Sequence, residues 1–150
     1  MRRLTWKAAA EYCEKLAKMI DFRPDFIVGI SRGGLVPARI LSDILDAKVL
    51  IIGIKFYKGV GETDPRPTIT QDLPKLEGKK ILIVDDIADS GNSLIAATEY
   101  LKGNELRTAT LHYKETSKLK PDYFIDTATQ WIVYPWERHE TERSLKPKGL

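Results

Sequence analysis

Residues Ile81 to Ser93 read ILIVDDIADSGNS and indicate the class of fold. The first four residues are apolar and three of them are β-branched, which is typical of a strand buried on both faces inside a parallel sheet. Two adjacent acids and a short polar turn follow, and then a segment with helical spacing that stops at Gly103. The stretch therefore predicts a strand, an acidic tip and a helix start in direct succession.

The turn in this stretch has the chemistry of an anion site. Consecutive backbone N–H groups at the start of a helix attract a phosphate group, and the hydroxyls of Ser90 and Ser93 can add donors. Asp85 and Asp86 can accept hydrogen bonds from vicinal hydroxyls or help to hold a hydrated Mg²⁺. A phosphate, a diol and a metal together describe a phosphorylated sugar. Ordinary βα-loop chemistry would explain about half of these residues, but it explains the paired acids less well.

Length and composition place limits on the class of protein. The 150 residues, 43% of them hydrophobic, predict a single globular domain over residues 1–150. The net charge of +3 suits anionic substrates, and without a basic run it does not indicate nucleic acid. The single cysteine, Cys13, excludes a disulfide framework and is expected in the core. Without a signal peptide or a membrane-length apolar run, we expect a cytoplasmic location and no membrane partner.

Helical and strand patterns alternate on both sides of the Ile81 stretch. Apolar residues from Thr5 to Ile20 recur at helical spacing and predict an amphipathic packing helix. Buried strands are predicted at Phe26–Ile30, within Lys48–Tyr57 and at Leu106–Tyr113, and a helix ends near Leu45. These patterns predict an α/β fold with an open, mainly parallel sheet flanked by helices.

Two further loops are candidates for ligand contact. Ser31, Arg32, Gly33 and Gly34 follow the first strand, and adjacent glycines let a backbone wrap closely around a ligand, although an ordinary βα turn also fits them. Residues 58–74 have no periodicity and form either a passive surface excursion or a lid over a site.

Side chains near the end of the chain allow two interpretations each. Lys114 follows a strand, where a lysine is usually a solvated charge, and Trp131 and Tyr134 could be ordinary strand core. We expect core packing for Tyr134 and Trp136, and a structural or exposed position for His112 and for His139. The polar tail from Glu137 onward is expected to be frayed or to form a subunit contact.

The stretch from Ile81 strongly resembles the signature of the type I phosphoribosyltransferases, which is an apolar run, two acids, two variable residues and Asp-Ser/Thr-Gly. The segment SRGGLVPA from Ser31 is similar to the pyrophosphate-binding loop of that family, especially in its xanthine-guanine enzymes. Lys114, the Asp-Tyr-x-x-Asp pattern from Asp122 and the Trp-Ile pair at Trp131 also match the xanthine-guanine enzymes. The resemblance covers nearly the whole chain.

The resemblance implies a type I phosphoribosyltransferase fold with a small C-terminal hood that binds the base, at about residues 114–137. It also implies a flexible loop at about residues 58–74. The implied activity belongs to purine salvage: 5-phosphoribosyl is transferred from phosphoribosyl pyrophosphate to N9 of guanine, xanthine or hypoxanthine. The products would be GMP, XMP or IMP and pyrophosphate, and the implied assembly is a homodimer or a homotetramer.

The family motifs also imply roles for particular residues. Pyrophosphate would contact Ser31, Arg32, Gly33 and Gly34, with a cis peptide near Ser31-Arg32. The ribose and its 5'-phosphate would contact Asp85, Asp86, Asp89, Ser90, Gly91, Asn92 and Ser93. The purine would accept from Lys114 at O6, stack on Trp131 and donate to the backbone carbonyl of Ile132. Asp89 would remove the purine proton, and Mg²⁺ would be held near Asp85, Asp86 and Glu137.

Two alternatives stay open at this point. A regulatory protein of the same fold could sense phosphoribosyl pyrophosphate without catalysing transfer. A transferase for adenine, orotate or another pyrimidine would share the sugar-phosphate signature, and only Lys114 and Trp131 argue against it.

Overall fold

The computed structural model describes residues 1–61 and 66–147. Within that part of the chain there are eight strands and four helices. In chain order they are β1 (Arg2–Arg3), α1 (Trp6–Met19), β2 (Phe26–Ser31), α2 (Leu35–Leu45), β3 (Lys48–Tyr57), β4 (Arg66–Gln71), β5 (Lys80–Ala88), α3 (Asn92–Tyr100), β6 (Glu105–Tyr113), β7 (Tyr123–Thr127), β8 (Ile132–Val133) and α4 (Arg138–Leu145). A short 3₁₀ turn, Pro135–Glu137, leads into α4.

The main sheet has six strands in the order β4-β3-β2-β5-β6-β7. All neighbouring strands are parallel except β4, which runs antiparallel to β3. From β2 the chain continues to β3 on one side, and it later returns to β5 on the other side of β2. Open α/β sheets bind ligands at such a reversal, beyond the carboxyl ends of the strands. The topology therefore predicts a ligand site beyond the carboxyl ends of β2 and β5.

The centre of β5 is buried on both faces, as its sequence predicts. Leu82 and Val84 pack into the core formed with α1 and α2, whereas Ile81 and Ile83 pack into the core formed with α3. All four side chains are fully buried. Cys13 is also fully buried in the first of these cores, which confirms its prediction as a packing residue.

The start of the chain pairs with the hood in a second, two-stranded sheet. β1 pairs with β8 in parallel, and the amides of Arg2 and Leu4 donate to the carbonyls of Trp131 and Val133 at 2.8 and 2.9 Å. This pairing secures the C-terminal hood beside the main sheet. None of the helices in residues 1–61 and 66–147 has the length and apolar character needed to cross a bilayer.

The structure differs from the sequence prediction in three places. β5 continues through both acids to Ala88, so the acids belong to the strand rather than to the turn. Residues 66–71 of the segment expected to be irregular form β4 at the edge of the sheet, where Pro67 is tolerated because an edge strand needs fewer amide donors. Residues 62–65 of that segment lie outside the described residues.

The expectation of a frayed tail is wrong for α4, the third difference. The carboxylate of Glu137 accepts a hydrogen bond from the amide of Tyr134 at 3.1 Å, which closes the 3₁₀ turn that starts the helix. Thr141 is buried at 5% exposure, so one face of α4 is packed against the domain. These two contacts explain why a segment with few apolar residues is ordered.

His112 in β6 is fully buried between two tyrosine rings. Its Nδ1 lies 2.8 Å from the hydroxyl of Tyr134, which donates to the backbone carbonyl of Asp86 at 3.1 Å. Because that hydroxyl has one proton, His112 must donate from Nδ1, and its buried Nε2 has no hydrogen-bond partner among the described residues. The prediction of a structural role for His112 is thus confirmed.

We predict that His112 makes folding sensitive to acid. Its pKa is lowered to about 4, chiefly by burial and also by nearby Arg2, while Asp126 opposes the shift. Tyr12 and Tyr134 cover the ring. At a pH between the folded pKa and the unfolded pKa of roughly 6.5, His112 is protonated in the unfolded chain and neutral in the folded chain. The free energy of unfolding should therefore decrease as the pH is lowered through this window, by about 2–3 kcal/mol at pH near 4.5.

Urea unfolding of the wild-type protein and of His112→Gln at neutral and acidic pH measures this contribution. The variant should be less stable at neutral pH and should show a smaller loss on acidification. An equal acid-induced loss in both proteins would assign the pH dependence to other groups.

Candidate active site

A cleft of about 460 Å³ opens where the strand order reverses. Its walls are the loop after β2, the two acids of β5, the start of α3, and the C-terminal segment from Trp136 to Glu140. The topology alone places a ligand crevice here. The cleft therefore brings together segments as far apart in the chain as Ser31 and Glu140.

The loop after β2 is shaped by close backbone contact with β5. Its Ser31-Arg32 peptide is cis, as the family resemblance implies. A Cβ at Gly34 would lie 2.4 Å from the carbonyl oxygen of Val84, and one at Gly33 would lie 2.6 Å from both carboxylate oxygens of Asp86. No side chain fits at either position without displacing its neighbour. The two glycines are thus required by packing against β5.

Arg32 extends from this loop toward α4. Its Nη2 donates to Oε1 of Glu140 at 2.5 Å, and both side chains are more than half exposed. An exposed pair of this kind contributes little to stability, on the order of 0–1 kcal/mol. A dianionic ligand in the cleft could therefore compete with Glu140 for the guanidinium group at small energetic cost.

The two acids of β5 have different surroundings. Asp86 is only 7% exposed, and its Oδ1 and Oδ2 accept from the amide of Ile87 at 2.8 Å and from Nε1 of Trp136 at 3.3 Å. Asp85 is half-buried and accepts from the amide of Asp86 at 2.9 Å. Asp85 also lines both the large cleft and the cup at the start of α3. Asp85 is thus the more accessible carboxylate.

Burial makes both carboxylates unfavourable as anions. It raises the pKa of Asp85 well above the ordinary value, and the adjacent charge of Asp86 raises it further. Burial also raises the pKa of Asp86, while the Trp136 N–H opposes that rise. A bound cation or hydroxyl donor beside these oxygens would offset the lost hydration.

A small cup of about 70 Å³ lies at the start of α3. Gly91 adopts φ +85°, a left-handed conformation that glycine accepts without strain, and Asn92 and Ser93 begin the helix. The amide of Asn92 donates to the hydroxyl of Ser90 at 3.2 Å. Asp89, Ser90 and Gly91 form the rim together with Ser93. Amides at a helix start, beside a hydroxyl, are suited to one phosphate group.

A third cavity, of about 400 Å³, lies between the end of β6 and the hood. It is lined by residues 114–116 and 127–131. Lys114 reaches from this cavity to the phosphate-sized cup, where its Nζ lies 3.0 Å from Oδ1 of Asp89. An ammonium and a carboxylate thus meet at the junction of the two cavities.

The hood presents the aromatic ring of Trp131 to this third cavity and continues into β8. Trp131 is 47% exposed, so it is not a core residue. The carbonyls of Trp131 and Val133 are used by β1. Because successive carbonyls of a strand point to opposite edges, the carbonyl of Ile132 faces away from β1. The side chain of Ile132 is buried and anchors the strand.

The sequence interpretation missed two residues of the cleft. Trp136, expected to pack in the core, does pack against it but is only partly buried, and its N–H bonds to Asp86 in the cleft. Tyr134 is 1% exposed, which confirms its prediction as a core residue. Glu140 lies three residues after Glu137, a helical spacing that places both on one side of the segment, and both line the cleft. Only recognition of α4 as a helix would have revealed that relation.

Glu137 lines the cleft, but one of its carboxylate oxygens already accepts a backbone hydrogen bond. Burial raises its pKa, and its Oε1 caps the amide of Tyr134. His139 is exposed, in agreement with the sequence prediction. No group of three or more His, Cys, Asp or Glu side chains within residues 1–61 and 66–147 is arranged to hold a metal ion. Any metal in the cleft would therefore depend on ligand oxygens and water as well as on protein carboxylates.

Comparison with known proteins is consistent across sequence and structure. The sequence model of the family described as the phosphoribosyl transferase domain matches residues 4–142 of this chain. The xanthine-guanine phosphoribosyltransferase of Cereibacter sphaeroides is 38% identical over 117 residues, covering 74% of this chain and 68% of that protein. The hypoxanthine-guanine phosphoribosyltransferase of Schizosaccharomyces pombe is 28% identical over 180 residues, covering 91% of this chain and 86% of that protein.

Solved structures agree with these sequence matches. A purine phosphoribosyltransferase from Pyrococcus horikoshii Ot3 has a TM-score of 0.83 and 38% identity, covering 89% of this chain and 92% of that chain. The xanthine-guanine-hypoxanthine phosphoribosyltransferase of Helicobacter pylori has a TM-score of 0.81 and 26% identity, covering 97% of this chain and 99% of that chain. Because the phosphoribosyl transferase domain matches residues 4–142 and relatives of that family share both sequence and fold, this chain belongs to the phosphoribosyltransferase family.

Proposed function

We propose that this protein is a purine salvage enzyme that transfers 5-phosphoribosyl from phosphoribosyl pyrophosphate to N9 of guanine, xanthine or hypoxanthine. The observation that carries the proposal is the contact between Lys114 and Asp89, 3.0 Å apart, where the phosphate-sized cup meets the hood cavity. A sugar phosphate in the cup and a base in the hood cavity would meet at this contact. The products are GMP, XMP or IMP and pyrophosphate.

The phosphoribosyl group is held by the end of β5 and the start of α3. Amides of the Ser90–Ser93 turn and its two serine hydroxyls bind the 5'-phosphate, favoured by the positive end of the helix. Asp85 and Asp86 accept from the ribose hydroxyls, with Asp85 in the more open position. Their negative charge also stabilises the positive charge that develops on the sugar as its bond to pyrophosphate breaks.

Pyrophosphate leaves into the cleft beside the loop Ser31–Gly34. Backbone amides of that loop and the guanidinium of Arg32 bind its oxygens, with Arg32 exchanging Glu140 for the ligand. Mg²⁺ suits the oxygen donors of Asp85 and Asp86, with Glu137 close by, and when bound it would neutralise the departing pyrophosphate.

The base is recognised by the hood at about residues 114–137. Trp131 stacks on the purine, and the carbonyl of Ile132 accepts from the 2-amino group when the base is guanine. Lys114 donates to O6, and because an ammonium has no lone pair, the 6-amino group of adenine would find no acceptor there. Asp89 lies within hydrogen-bond distance of Lys114 and takes the proton that the purine loses, with N7 the preferred site.

Other parts of the proposal concern the whole protein. Residues 1–150 act as one domain, and the loop at about residues 58–74, whose second half contains β4, covers the reacting sugar. We further propose a cytoplasmic homodimer or homotetramer, without nucleic acid or membrane partners.

A base panel provides the direct test of this function. We expect the purified protein with phosphoribosyl pyrophosphate and Mg²⁺ to convert guanine, xanthine or hypoxanthine to its nucleotide, with kcat/KM for adenine lower by roughly 100-fold or more. Lys114→Met should remove most of this preference, whereas Lys102→Met, an equal loss of charge at an exposed site, should not. No nucleotide from any 6-oxopurine would favour a sensor of phosphoribosyl pyrophosphate instead.

Asp89→Asn tests proton transfer. The amide retains an acceptor for Lys114 but cannot take up a proton, so kcat should fall by roughly 10²- to 10⁴-fold. Affinity for GMP, measured by calorimetry, should change little. Asp43→Asn, on the exposed face of α2, is the matched control. Unchanged turnover in purified Asp89→Asn would remove Asp89 from the mechanism.

Glu140→Gln tests the competition for Arg32. With the carboxylate neutralised, the guanidinium should be released to the ligand, and the Kd for pyrophosphate in the presence of Mg²⁺ should fall by about 2- to 5-fold, less at high salt. Glu142→Gln, on the same helix but outside the cleft, is the control. A higher Kd in Glu140→Gln would contradict competition and would show that Glu140 helps to hold the complex.

A further inference from the structure

Trp136 makes a directed contact with Asp86, fifty residues earlier in the chain. Its indole Nε1 donates to Oδ2 of Asp86 at 3.3 Å. The indole ring is stacked on the ring of Tyr134, with centroids 5.1 Å apart and planes 6° apart. Tyr134 itself is almost completely buried. Because the N–H bond lies in the plane of the indole, this stack limits the directions in which Trp136 can donate.

Asp86 is held from its other sides as well. Its Oδ1 accepts from the amide of Ile87, and its backbone carbonyl accepts from the hydroxyl of Tyr134. Gly33 of the loop after β2 lies so close that a single added carbon would be 2.6 Å from either carboxylate oxygen. The carboxylate is therefore enclosed between the hood on one side and the loop on the other.

Within the described residues, the indole N–H is the side-chain donor that reaches the Asp86 carboxylate from the hood. Loss of a donor leaves a buried carboxylate oxygen unsatisfied, which favours rotation of the group or entry of water. Rotation is restricted by Gly33, so a change in Asp86 would be transmitted to the backbone of the loop. The contact couples the hood to the loop through a rigid, buried group.

We propose that Trp136 is a positioning residue, whose N–H holds the carboxylate of Asp86 against Gly33 and thereby keeps the Ser31–Gly34 loop in the shape that receives pyrophosphate. The identity of the ligand rests on the proposed function. Trp136 touches Asp86 rather than the base, and Asp86 lies against Gly33, so the effect of Trp136 is on the binding of phosphoribosyl pyrophosphate and pyrophosphate. Since Trp136 follows β8 by three residues, the base-binding segment and the anion-binding loop share this support.

Trp136→Phe removes the donor and retains an aromatic ring on Tyr134. We expect the KM for phosphoribosyl pyrophosphate and the Kd for pyrophosphate to rise by about 5- to 20-fold, with the KM for the base changed less than twofold. Trp6→Phe is the matched control, because Trp6 lies 6.0 Å from Trp136 on the exposed side and does not contact Asp86. Unchanged pyrophosphate affinity in Trp136→Phe, or an equal effect of Trp6→Phe, would overturn the proposal.

A double-mutant cycle separates positioning from general stability. If Trp136 acts through Asp86, then Trp136→Phe should change pyrophosphate affinity by less than twofold in an Asp86→Asn background. Additive effects would overturn the proposal. Pyrophosphate binding is measured without a base, so a failure of base transfer in the wild-type protein would count against the proposed function and leave this cycle intact.

The unmodified protein offers a test that does not depend on folding of a variant. Of the three indole N–H signals in a nitrogen-15 spectrum, that of Trp136 should exchange with solvent most slowly and should shift when pyrophosphate is added. The signal of Trp6 should do neither. Exchange of the Trp136 N–H as fast as that of Trp6 would overturn the proposal.

Discussion

The site depends on two adjacent carboxylates, Asp85 and Asp86, which lie near the carboxyl end of β5, where the strand order of the sheet reverses. Ionised carboxylates lose hydration when they are buried, and this cost must be offset by hydrogen-bond donors or by a ligand. Asp86 receives protein donors from the strand and from Trp136, whereas Asp85 faces both the cleft and the phosphate-sized cup. Both acids line the cleft, and Asp85, which has fewer protein donors, is the more open of the two to a polyhydroxyl ligand or a cation.

The remaining elements place charge and shape around this pair. The loop at Gly33 and Gly34 can approach β5 only because neither residue has a side chain. The start of α3 offers amides to an anion, and the ion pair of Lys114 with Asp89 marks the passage to the hood. On the opposite side Arg32 faces Glu140, so an anion entering the cleft meets a cation that is already paired but weakly held.

Much of the fold could be predicted because its elements have strong local patterns. β5 is an apolar run long enough to identify by itself, and α1 has a complete amphipathic face from Trp6 to Met19. β4 was missed because its sequence, RPTITQ, starts with a charge and a proline and lies at an exposed edge. α4 was missed because its single buried residue, Thr141, leaves no apolar periodicity.

The candidate site divides in the same way. Residues that form local motifs, such as the paired glycines of one loop and the acids and turn of another, could be selected from sequence, and the structure brings them to the cleft and the adjoining cup. The contact of Trp136 with Asp86 and that of Glu140 with Arg32 join segments that only the tertiary fold makes neighbours. Contacts between residues so far apart in the chain leave no local sequence pattern, so only the three-dimensional structure reveals them.

A crystal structure with GMP tests the central claim most directly. The account predicts that the phosphate oxygens lie about 3 Å from the amides that begin α3, that the ribose hydroxyls face Asp85, and that O6 lies near Lys114 with the purine on Trp131. A nucleotide whose phosphate binds elsewhere, or whose base lies away from the hood, would contradict it.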